Sequence, residues 1–337
     1  MTRGATGRAR APAGFHGLDP DTVLAAVESE GWLPSGHLLA LNSYENRVYR
    51  VGLEDGGAVV AKFYRPGRWN DAAIEEELVF TTELAQAEIP VVAPLAGAGG
   101  RLLMRHAGYR FSVFPNVGGR APALDDPDQL EELGRLTGRM HAIGRLRRHA
   151  HRHQIDIARF GEEPSRYLAA SGAIPPDLLP GYEAICADIL QRVRLRFQSA
   201  GAFAVIRVHG DCHPGNILVR DGSAHLVDFD DTANGPAIQD LWMFLSGDRA
   251  YREAGLTALM EGYRAFNDFD PRELVLIEPL RALRMIHYAA WLARRHDDPA
   301  FALAFPWFGG QRYWGEHILA LREQLAELDE PALAWYD

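Results

Sequence analysis

Apolar runs of strand type dominate the first third of the chain. Leu39 to Phe63 holds two such runs separated by the turn sequence Glu54-Asp55-Gly56-Gly57, and Tyr109 to Phe114 forms another. Shorter strands are predicted around Val91 and from Leu102 to Met104. β-branched and aromatic residues bounded by glycine and acidic turn residues are typical of an antiparallel sheet.

Apolar residues at helical spacing recur in the segments between and after these strands. The spacing predicts helices over residues 19–31, 70–87, 128–146, 181–199 and 240–245, with further helices from 271 to 295. Residues 154–180 are rich in Pro, Gly and Ser and predict a loop with short helical pieces, and Asn234-Gly235-Pro236 predicts a turn.

Together these patterns predict an α+β fold with two lobes. We expect a disordered tail at 1–17, a small β-rich N-lobe at 18–114, a hinge at 115–119 and a larger, mainly helical C-lobe at 120–337. A chain of 337 residues can form two such cores.

Composition excludes several classes of function. The net charge of -10 without a basic stripe argues against nucleic acid as a partner. No apolar run reaches the ~18 residues that a membrane span needs, and the N-terminal arginines lack the apolar core of a secretory signal. The two cysteines, far apart and without zinc-ligand spacing, fit a reducing compartment. We therefore expect a cytoplasmic protein.

One stretch carries dense candidate chemistry, VHGDCHPGNILVRDGSAHLVDFDD from Val208 to Asp231. Asp211 and Asn216 stand at the Asp-x-x-x-x-Asn spacing of a kinase catalytic loop, in which the Asp accepts the proton of the acceptor hydroxyl and the Asn binds a metal ion. A predicted hairpin turning at Asp221-Gly222 follows, and its second strand leads into Asp228, the position of a magnesium-binding carboxylate. The competing interpretation is an acidic hairpin without metal.

Lys62 is the only lysine among the 35 basic residues. It ends the run Ala58-Val59-Val60-Ala61-Lys62, which matches the kinase strand that presents a nucleotide-binding lysine. A compact ammonium group approaches phosphate oxygens as a point charge, unlike the broad guanidinium fork of arginine. Lys62 is therefore predicted to bind nucleotide phosphates.

The predicted helix over 70–87 contains three consecutive glutamates, one of which should pair with Lys62. Glu77 is the first choice because Phe80 and Leu84 follow it at i+3 and i+7 on the same side of the helix. Glu76 is the alternative.

The loop from Asn42 to Asn46 takes the place of a phosphate-covering loop but has no glycine. Its backbone amides and the Ser43 hydroxyl are candidate phosphate donors, and an ordinary polar hairpin turn is the alternative. The predicted hinge at 115–119 would present backbone groups to the adenine.

Other polar residues have less specific signals. Asp240 is expected to cap a helix or to accept amides from the catalytic loop. The His149 to His153 segment is interpreted as a solvated basic loop, with metal binding as the alternative, and Cys212 as a buried inert thiol, with oxidant sensing as the alternative. Aromatic residues around Trp307 and Trp314 predict core. Four charged residues are candidates for lining an acceptor cleft, and the sequence does not rank them: Glu278, Arg281, Arg284 and Arg295.

Several segments, among them AKFYRPGRW, HGDCHPGNIL and VDFDDTANGPAIQDLWM, resemble bacterial serine/threonine protein kinases of the aminoglycoside phosphotransferase and choline kinase superfamily. The similarity runs from about Leu18 to Trp314, and the departures, among them a histidine-rich loop and a longer hairpin before Asp228, lie mostly outside the site.

The resemblance implies a protein-kinase-like fold with ATP as cosubstrate and Mg²⁺ as cofactor. It also implies a role in stress signalling and a protein substrate, including the chain itself; we expect a monomer. Position by position, it implies Asp211 as the base, Asn216 and Asp228 as magnesium ligands, Lys62 as the phosphate lysine and Ser43 as a nucleotide-site residue. Two rival functions share the motif: a small-molecule kinase acting on an aminoglycoside, choline or a sugar, and a nucleotide-binding scaffold without catalysis.

Overall fold

A computed structural model of the protein describes residues 14–298, 301 and 304–335. Most of the predicted tail, residues 1–13, lies outside these ranges, whereas residues 14–17 form turns in which Gly17 N donates to the Tyr109 hydroxyl and Phe15 stacks on the Tyr109 ring. Within the described residues, no helix is long and apolar enough to cross a lipid bilayer.

The described helices alternate with strands early and dominate later, which confirms the predicted α+β class. The α-helices are α1 (Pro20–Glu28), α2 (Asp71–Gln86), α3 (Pro127–Gly144), α4 (Glu163–Ser171), α5 (Leu179–Ala200), α6 (Arg249–Arg264), α7 (Ile277–Arg295) and α8 (Gln311–Asp329). The strands are β1 (Pro34–Leu41), β2 (Arg47–Leu53), β3 (Ala58–Phe63), β4 (Met104–His106), β5 (Tyr109–Pro115), β6 (Ile206–Val208), β7 (Ile217–Arg220), β8 (Ser223–Leu226) and β9 (Ala233–Gly235).

The chain falls into two compact units. The first comprises the described residues up to Arg120 together with Leu218–Asp230, and the second comprises Ala121–Ile217 and the described residues from Asp231 onward.

A five-stranded antiparallel sheet forms the first unit, in the order β1-β2-β3-β5-β4. Its apolar face, which includes Ala61, Phe63 and Phe111, packs with Val23 and Val27 of α1. Helix α2 begins at the N-cap Asn70, whose side chain accepts from Ala73 N, so its bounds agree with the predicted 70–87. The sheet and α2 thereby bring β3 and its lysine into a dry environment.

The hairpin of β7 and β8 joins this first unit, unlike the continuous lobe boundaries expected from sequence. Val91 bridges Leu226, and Arg120 exchanges backbone hydrogen bonds with Val219 at 3.1 and 2.7 Å. Asp221 and Gly222 both have positive φ, 50° and 79°, as a two-residue hairpin turn requires. Long-range backbone pairing therefore assigns the hairpin to a unit that sequence order does not indicate.

The second unit is built from helices around one large apolar core. Helices α5, α7 and α8 contribute fully buried side chains such as Ile189, Ile286 and Trp314. Cys186 lies on the buried side of α5, as predicted, while Trp307 is half exposed and only its neighbour Trp314 is core.

Helices α3 and α6 cross at very short range. A Cβ atom added at Gly134 would lie 2.1 Å from Leu259 O, and one added at Gly262 would lie 1.9 Å from Glu131 O. Glycine is therefore the only residue that fits these two crossing points without a shift of backbone.

Three sequence expectations are wrong in this unit. Asn234 and its neighbours form strand β9 paired with β6 instead of a turn, and two short 3-10 helices, Ala237–Asp240 and Trp242–Phe244, replace the predicted helix. The third is the solvated basic loop, because His149 and Arg152 are buried. Its backbone is tied to β9 by His149 N, which donates to Asn234 Oδ1 at 2.9 Å, and by Asn234 Nδ2, which donates to His149 O at 3.0 Å.

Candidate active site

In the first unit, Lys62 is surrounded by three carboxylates. Its Nζ lies 2.9 Å from Glu77 Oε1, 3.1 Å from Asp228 Oδ1 and 3.3 Å from Asp230 Oδ1. The lysine side chain is only 8% exposed. Burial alone would lower the pKa of Lys62, but the charges of Asp228, Asp230 and Glu77 raise it well above its usual value. The ammonium group is therefore permanently charged.

The carboxylate that α2 supplies is Glu77, the first of the two candidates. Glu77 is 2% exposed, whereas Glu75 is exposed and Glu76 half buried, because only Glu77 shares the inner side of the helix with Phe80 and Leu84. The ion pair fixes the lysine head group at the end of β3.

Asp228 follows β8 with a strained backbone. Its φ of 58° is left-handed, a region that costs most residues free energy and that is found at functional sites. The Asp228 side chain is 53% exposed, so it can reach a ligand while one oxygen contacts Lys62.

Asp230 was not among the predicted site residues. It is 4% exposed and forms ion pairs with Lys62 and, at very short range, with Arg68 Nη1. The signal was present in the sequence as the second acid of Asp228-Phe229-Asp230, but nothing in the sequence shows that this acid turns inward.

Arg65 holds the loop that contains Ser43. Arg65 Nε donates to Glu45 O at 2.8 Å and Arg65 Nη2 donates to Tyr44 O at 3.1 Å, while Arg65 N donates to Asn46 Oδ1 at 3.1 Å. Ser43 lies in this loop between β1 and β2 and is partly buried. Arg65 contacts to loop carbonyls thus give order to a loop that lacks glycine.

In the second unit, Asp240 holds the start of the loop that contains Asp211, the predicted base. Its Oδ2 accepts from His209 N at 2.7 Å and its Oδ1 accepts from Gly210 N at 2.9 Å. Oδ2 also contacts His141 Nε2 at 2.9 Å, in a fully buried pair. Gly210 has φ of 87°, and a Cβ there would lie 2.1 Å from Asp231 O. These contacts support the structural role expected for Asp240, which is to accept hydrogen bonds from backbone amides.

Asp211 follows His209 and Gly210 directly in the sequence. Two side chains lie close to its carboxylate. Arg284 Nη1 of α7 donates to Oδ1 at 2.5 Å, and His213 Nε2 lies 3.6 Å from Oδ2. Burial would raise the pKa of Asp211, but the Arg284 guanidinium, followed by His213 and His209, lowers it below its usual value. Arg284 was one of four unranked candidates, and only the fold shows which of the four reaches Asp211.

Asn216 lies at the end of the same turn. Its Nδ2 donates to Asp211 O at 2.9 Å, which fixes the amide plane. The turn itself is closed by Asn216 N, which donates to His213 O at 2.8 Å. With its amide nitrogen committed, Asn216 is left with a side-chain oxygen of the kind that Mg²⁺ prefers.

Each of the two predicted magnesium ligands offers a hard oxygen, which suits magnesium better than a softer metal. Asn216 of the second unit offers an amide oxygen, and Asp228 of the first unit offers a carboxylate oxygen. Across the described ranges, no three His, Cys, Asp or Glu side chains form a metal site by themselves. Protein ligands this few suit an ion that is bound together with nucleotide phosphates.

Cys212 has the environment of an inert thiol. It is fully buried, and burial, together with the charges of Asp240 and Asp211, raises its pKa well above the usual value. A thiol that stays protonated is a poor nucleophile.

Comparison with known proteins identifies relatives over nearly the whole chain. Residues 37–276 match the phosphotransferase enzyme family. The chain is 44% identical over 319 residues to stress response kinase A of Escherichia coli (strain K12), covering 95% of this chain and 96% of that protein. The same identity and coverage hold for the serine/threonine protein kinase RdoA of Salmonella typhimurium. The resemblance inferred from sequence is thereby confirmed.

Solved structures agree with this fold at lower sequence identity. The amicoumacin kinase hAmiN, solved in complex with AMP-PNP, Ca²⁺ and Ami, is 21% identical, with a TM-score of 0.71 over 95% of this chain and 96% of that one. A microcompartment-associated aminopropanol kinase is 18% identical with the same TM-score, over 92% of this chain and 98% of that one. With the family match and the identity to named kinases, these findings lead to one conclusion: the chain is a kinase that belongs to the phosphotransferase enzyme family, in the branch that includes stress response kinase A.

Proposed function

We propose that this protein is a Mg-ATP-dependent serine/threonine protein kinase of the bacterial stress response. The relatives named stress response kinase A and RdoA, at 44% identity, support the substrate class and the role. The single observation that carries the phosphotransfer chemistry is the sole lysine of the chain, whose buried ammonium group contacts three carboxylates. The proposal includes a cytoplasmic location, where ATP is present and buried thiols such as Cys186 and Cys212 stay reduced.

Lys62 is assigned to the phosphates of ATP. Its charge offsets the negative charge of the transferred group, and Glu77 keeps the ammonium group in place. Ser43 and the backbone amides of its loop donate hydrogen bonds to phosphate oxygens.

Asn216 and Asp228 are assigned to the metal that accompanies ATP. When bound there, Mg²⁺ neutralises phosphate charge and orients the nucleotide for transfer.

Asp211 is assigned as the base of the reaction. One carboxylate oxygen accepts the proton of the acceptor hydroxyl as the hydroxyl oxygen bonds to the γ-phosphorus, and the bond from that phosphorus to the β-bridging oxygen breaks to release ADP. Because the transition state is loose, a carboxylate of low pKa suffices: it aligns the hydroxyl first and takes the proton late.

A small-molecule alcohol kinase is the competing function. It is favoured by the solved structures of similar fold, whose names state amicoumacin and aminopropanol as the molecules concerned. The catalytic groups would be identical, so only the acceptor distinguishes the two functions.

The test is transfer of labelled γ-phosphate from ATP by the purified protein. Acceptors are the protein itself, a panel of serine-containing proteins and a panel of amino alcohols, with Asp211→Ala as the control. Label on serine or threonine that is absent from Asp211→Ala supports the proposal. Labelled amino alcohol with no labelled protein would replace it with the small-molecule function.

A further inference from the structure

A short 3-10 helix of the second unit, Ala237–Asp240, begins without a capping side chain of its own. The residue before it is Pro236, which makes no side-chain hydrogen bond to the helix. The first backbone amides of a helix have no acceptor within the helix and need one from elsewhere. Glu273, 35 positions later in the chain, supplies it: Oε2 accepts from Ile238 N at 3.0 Å, and the carboxylate also accepts from Ala237 N. The start of this helix therefore depends on one distant carboxylate.

The same helix holds the backbone immediately before Asp211. Asp240 Oδ1 accepts from Gly210 N at 2.9 Å, and Gln239 Nε2 donates to Gly210 O at 2.9 Å. Asp240 Oδ2 also accepts from His209 N at 2.7 Å. Adjacent residues of the helix thus hold both backbone polar groups of Gly210. A rotation of the helix would move Gly210 and, with it, the backbone to which Asp211 is joined.

The connection from Glu273 to Gly210 is short and buried. A 3-10 helix rises about 2 Å per residue, so about 6 Å separates the first residue of this helix from the last. Ile238 and Asp240 are fully buried, and Glu273 is 1% exposed. Close-packed interiors are poorly compressible and transmit displacements. A change at Glu273 should therefore reach Gly210 as a movement of the whole helix.

We propose that Glu273 is a positioning residue for Asp211: its ionised carboxylate fixes the helix Ala237–Asp240, and this helix fixes the backbone that presents the Asp211 carboxylate to the acceptor hydroxyl. The inference rests on the proposed phosphotransfer with Asp211 as base, and it holds for a protein acceptor and for a small alcohol alike. Because Glu273 is buried, it acts through the helix and not by contact with substrate.

Protonation of Glu273 should weaken this contact. Burial raises the pKa of Glu273 to about 7, against the hydrogen bond from Ile238 N; the charge of Asp270 adds to the rise and that of Arg145 opposes it. Tyr263 of α6 also interacts electrostatically with Glu273. Protonation converts one acceptor oxygen into a donor, which weakens the hold on two backbone amides. The carboxylate should therefore fix the helix above about pH 7 and hold it less firmly below.

Activity and stability should consequently respond to pH in opposite directions. The unfolded chain ionises at lower pH than the buried Glu273, so ionisation of this group destabilises the folded state. Above pH 7 the wild type should thus be more active than an uncharged variant and yet less stable. A purely structural role would instead make activity and stability fall together.

The experiment measures kcat between pH 5.5 and pH 8.5 at saturating Mg-ATP, with one acceptor from the panels that test the proposed function. Wild type and Glu273→Gln should agree within about twofold at pH 5.5, where both side chains are uncharged. At pH 8.5 the wild type should be about tenfold faster, since small displacements of a reacting group are costly, with the KM for ATP equal in the two proteins. Glu273→Gln should nevertheless have the higher Tm at pH 8.5.

Two further variants complete the test. Glu261→Gln, at an exposed glutamate of α6, is the matched control and should follow the wild type at every pH. Gln239→Leu removes the donor to Gly210 O but no titrating group, so kcat should fall at every pH while the rise near pH 7 remains. An unchanged kcat in Gln239→Leu would show that the helix does not position this backbone.

Failure of the inference and failure of the proposed function differ in outcome. Parallel kcat profiles for wild type and Glu273→Gln contradict the positioning role while phosphotransfer by Asp211 stands. Phosphotransfer that survives in Asp211→Ala overturns the assignment of the base, and the inference with it.

Discussion

At the scale of the residue, the surroundings of Lys62 restrict which cationic side chain fits this position. Its Nζ meets three carboxylate oxygens within 3.3 Å in a site where the side chain is 8% exposed. A guanidinium group is planar and wider, and its five donors cannot converge on the same point.

Lys62→Arg is therefore expected to lower kcat/KM by roughly 100-fold or more, the order reported for loss of one electrostatic stabiliser of a transition state. Steady-state kinetics with ATP varied measure the effect. Arg101→Lys, at a side chain 68% exposed, is the reverse exchange and should leave the kinetics unchanged. Wild-type kinetics in Lys62→Arg would show that the compact charge has no special role.

Cys212 gives a second test at the residue scale. Burial raises the pKa of both thiols, that of Cys186 to about 11 and that of Cys212 well above its usual value. We expect neither to react with iodoacetamide at pH 8 until the protein is unfolded, as mass spectrometry would show. Rapid alkylation of Cys212 in the folded protein would favour the oxidant-sensing alternative instead.

Residue type and spacing predict candidate site residues but not the side chains that contact them. Glu77 could be chosen over Glu76 because helical periodicity sets which side faces in. Arg284 could not be ranked among four candidates and Asp230 was not predicted, because their contacts with Asp211 and Lys62 join positions 73 and 168 residues apart. Spacing within one element is readable from sequence, whereas contact between distant elements is set by the fold.

At the scale of elements, the α3–α6 crossing depends on glycine. A Cβ at Gly262 would lie 1.9 Å from Glu131 O, so alanine there must push the helices apart.

Gly262→Ala should lower the free energy of unfolding by about 3 kcal/mol, the upper end of typical overpacking costs. Gly315→Ala on α8, where an added Cβ meets nothing within 4 Å, should instead raise it by about 0.5 to 1 kcal/mol. Urea titration of both variants checks the pair. Equal stability of the two would contradict the close crossing.

The 3-10 helix that carries Asp240 is anchored by a buried acid. Glu273 Oε2 accepts from Ile238 N at 3.0 Å, and burial raises the pKa of Glu273 from 4.5 to about 7. The folded state thus binds this proton more tightly than the unfolded state, so this group makes the protein less stable as pH rises from 4.5 through about 7.

Glu273→Gln should remove that dependence. The Tm of the wild type should fall relative to the variant between pH 5 and pH 8, with a difference of up to about 3 kcal/mol in stability from this one group. Parallel Tm curves for the two proteins would mean that Glu273 titrates normally.

At this scale, the positions of long periodic segments could be predicted from the sequence. Helix α2 and strands β2, β3 and β5 lie where their patterns predict. The predictions were wrong at β9 and at the short 3-10 helices, because elements of three or four residues show no periodicity and depend on the residues with which they pair.

At the scale of the whole molecule, the α+β class followed from strands early and helices late in the chain. The division into units did not, because residues 218–230 join the first unit through backbone pairing with residues 99 and 135 positions away in the sequence, Arg120 with Val219 and Val91 with Leu226. Lys62 and Asp228 thus belong to one unit, and Asp211 with Asn216 to the other. Under the proposed function, the first unit would bind the ATP phosphates and the second would bind the acceptor hydroxyl.

The assignment of ATP and the acceptor to different units predicts that one substitution can lower turnover without weakening nucleotide binding. Asp211→Asn keeps the size and the hydrogen-bonding side chain of the residue but removes its capacity to take a proton. The most direct measurement is kcat beside the dissociation constant for Mg-ATP in this variant and the wild type. The account predicts that kcat falls about 10²- to 10⁴-fold, as for loss of a general base, with the dissociation constant changed by less than about threefold. Near-normal kcat in Asp211→Asn would contradict the account at its centre.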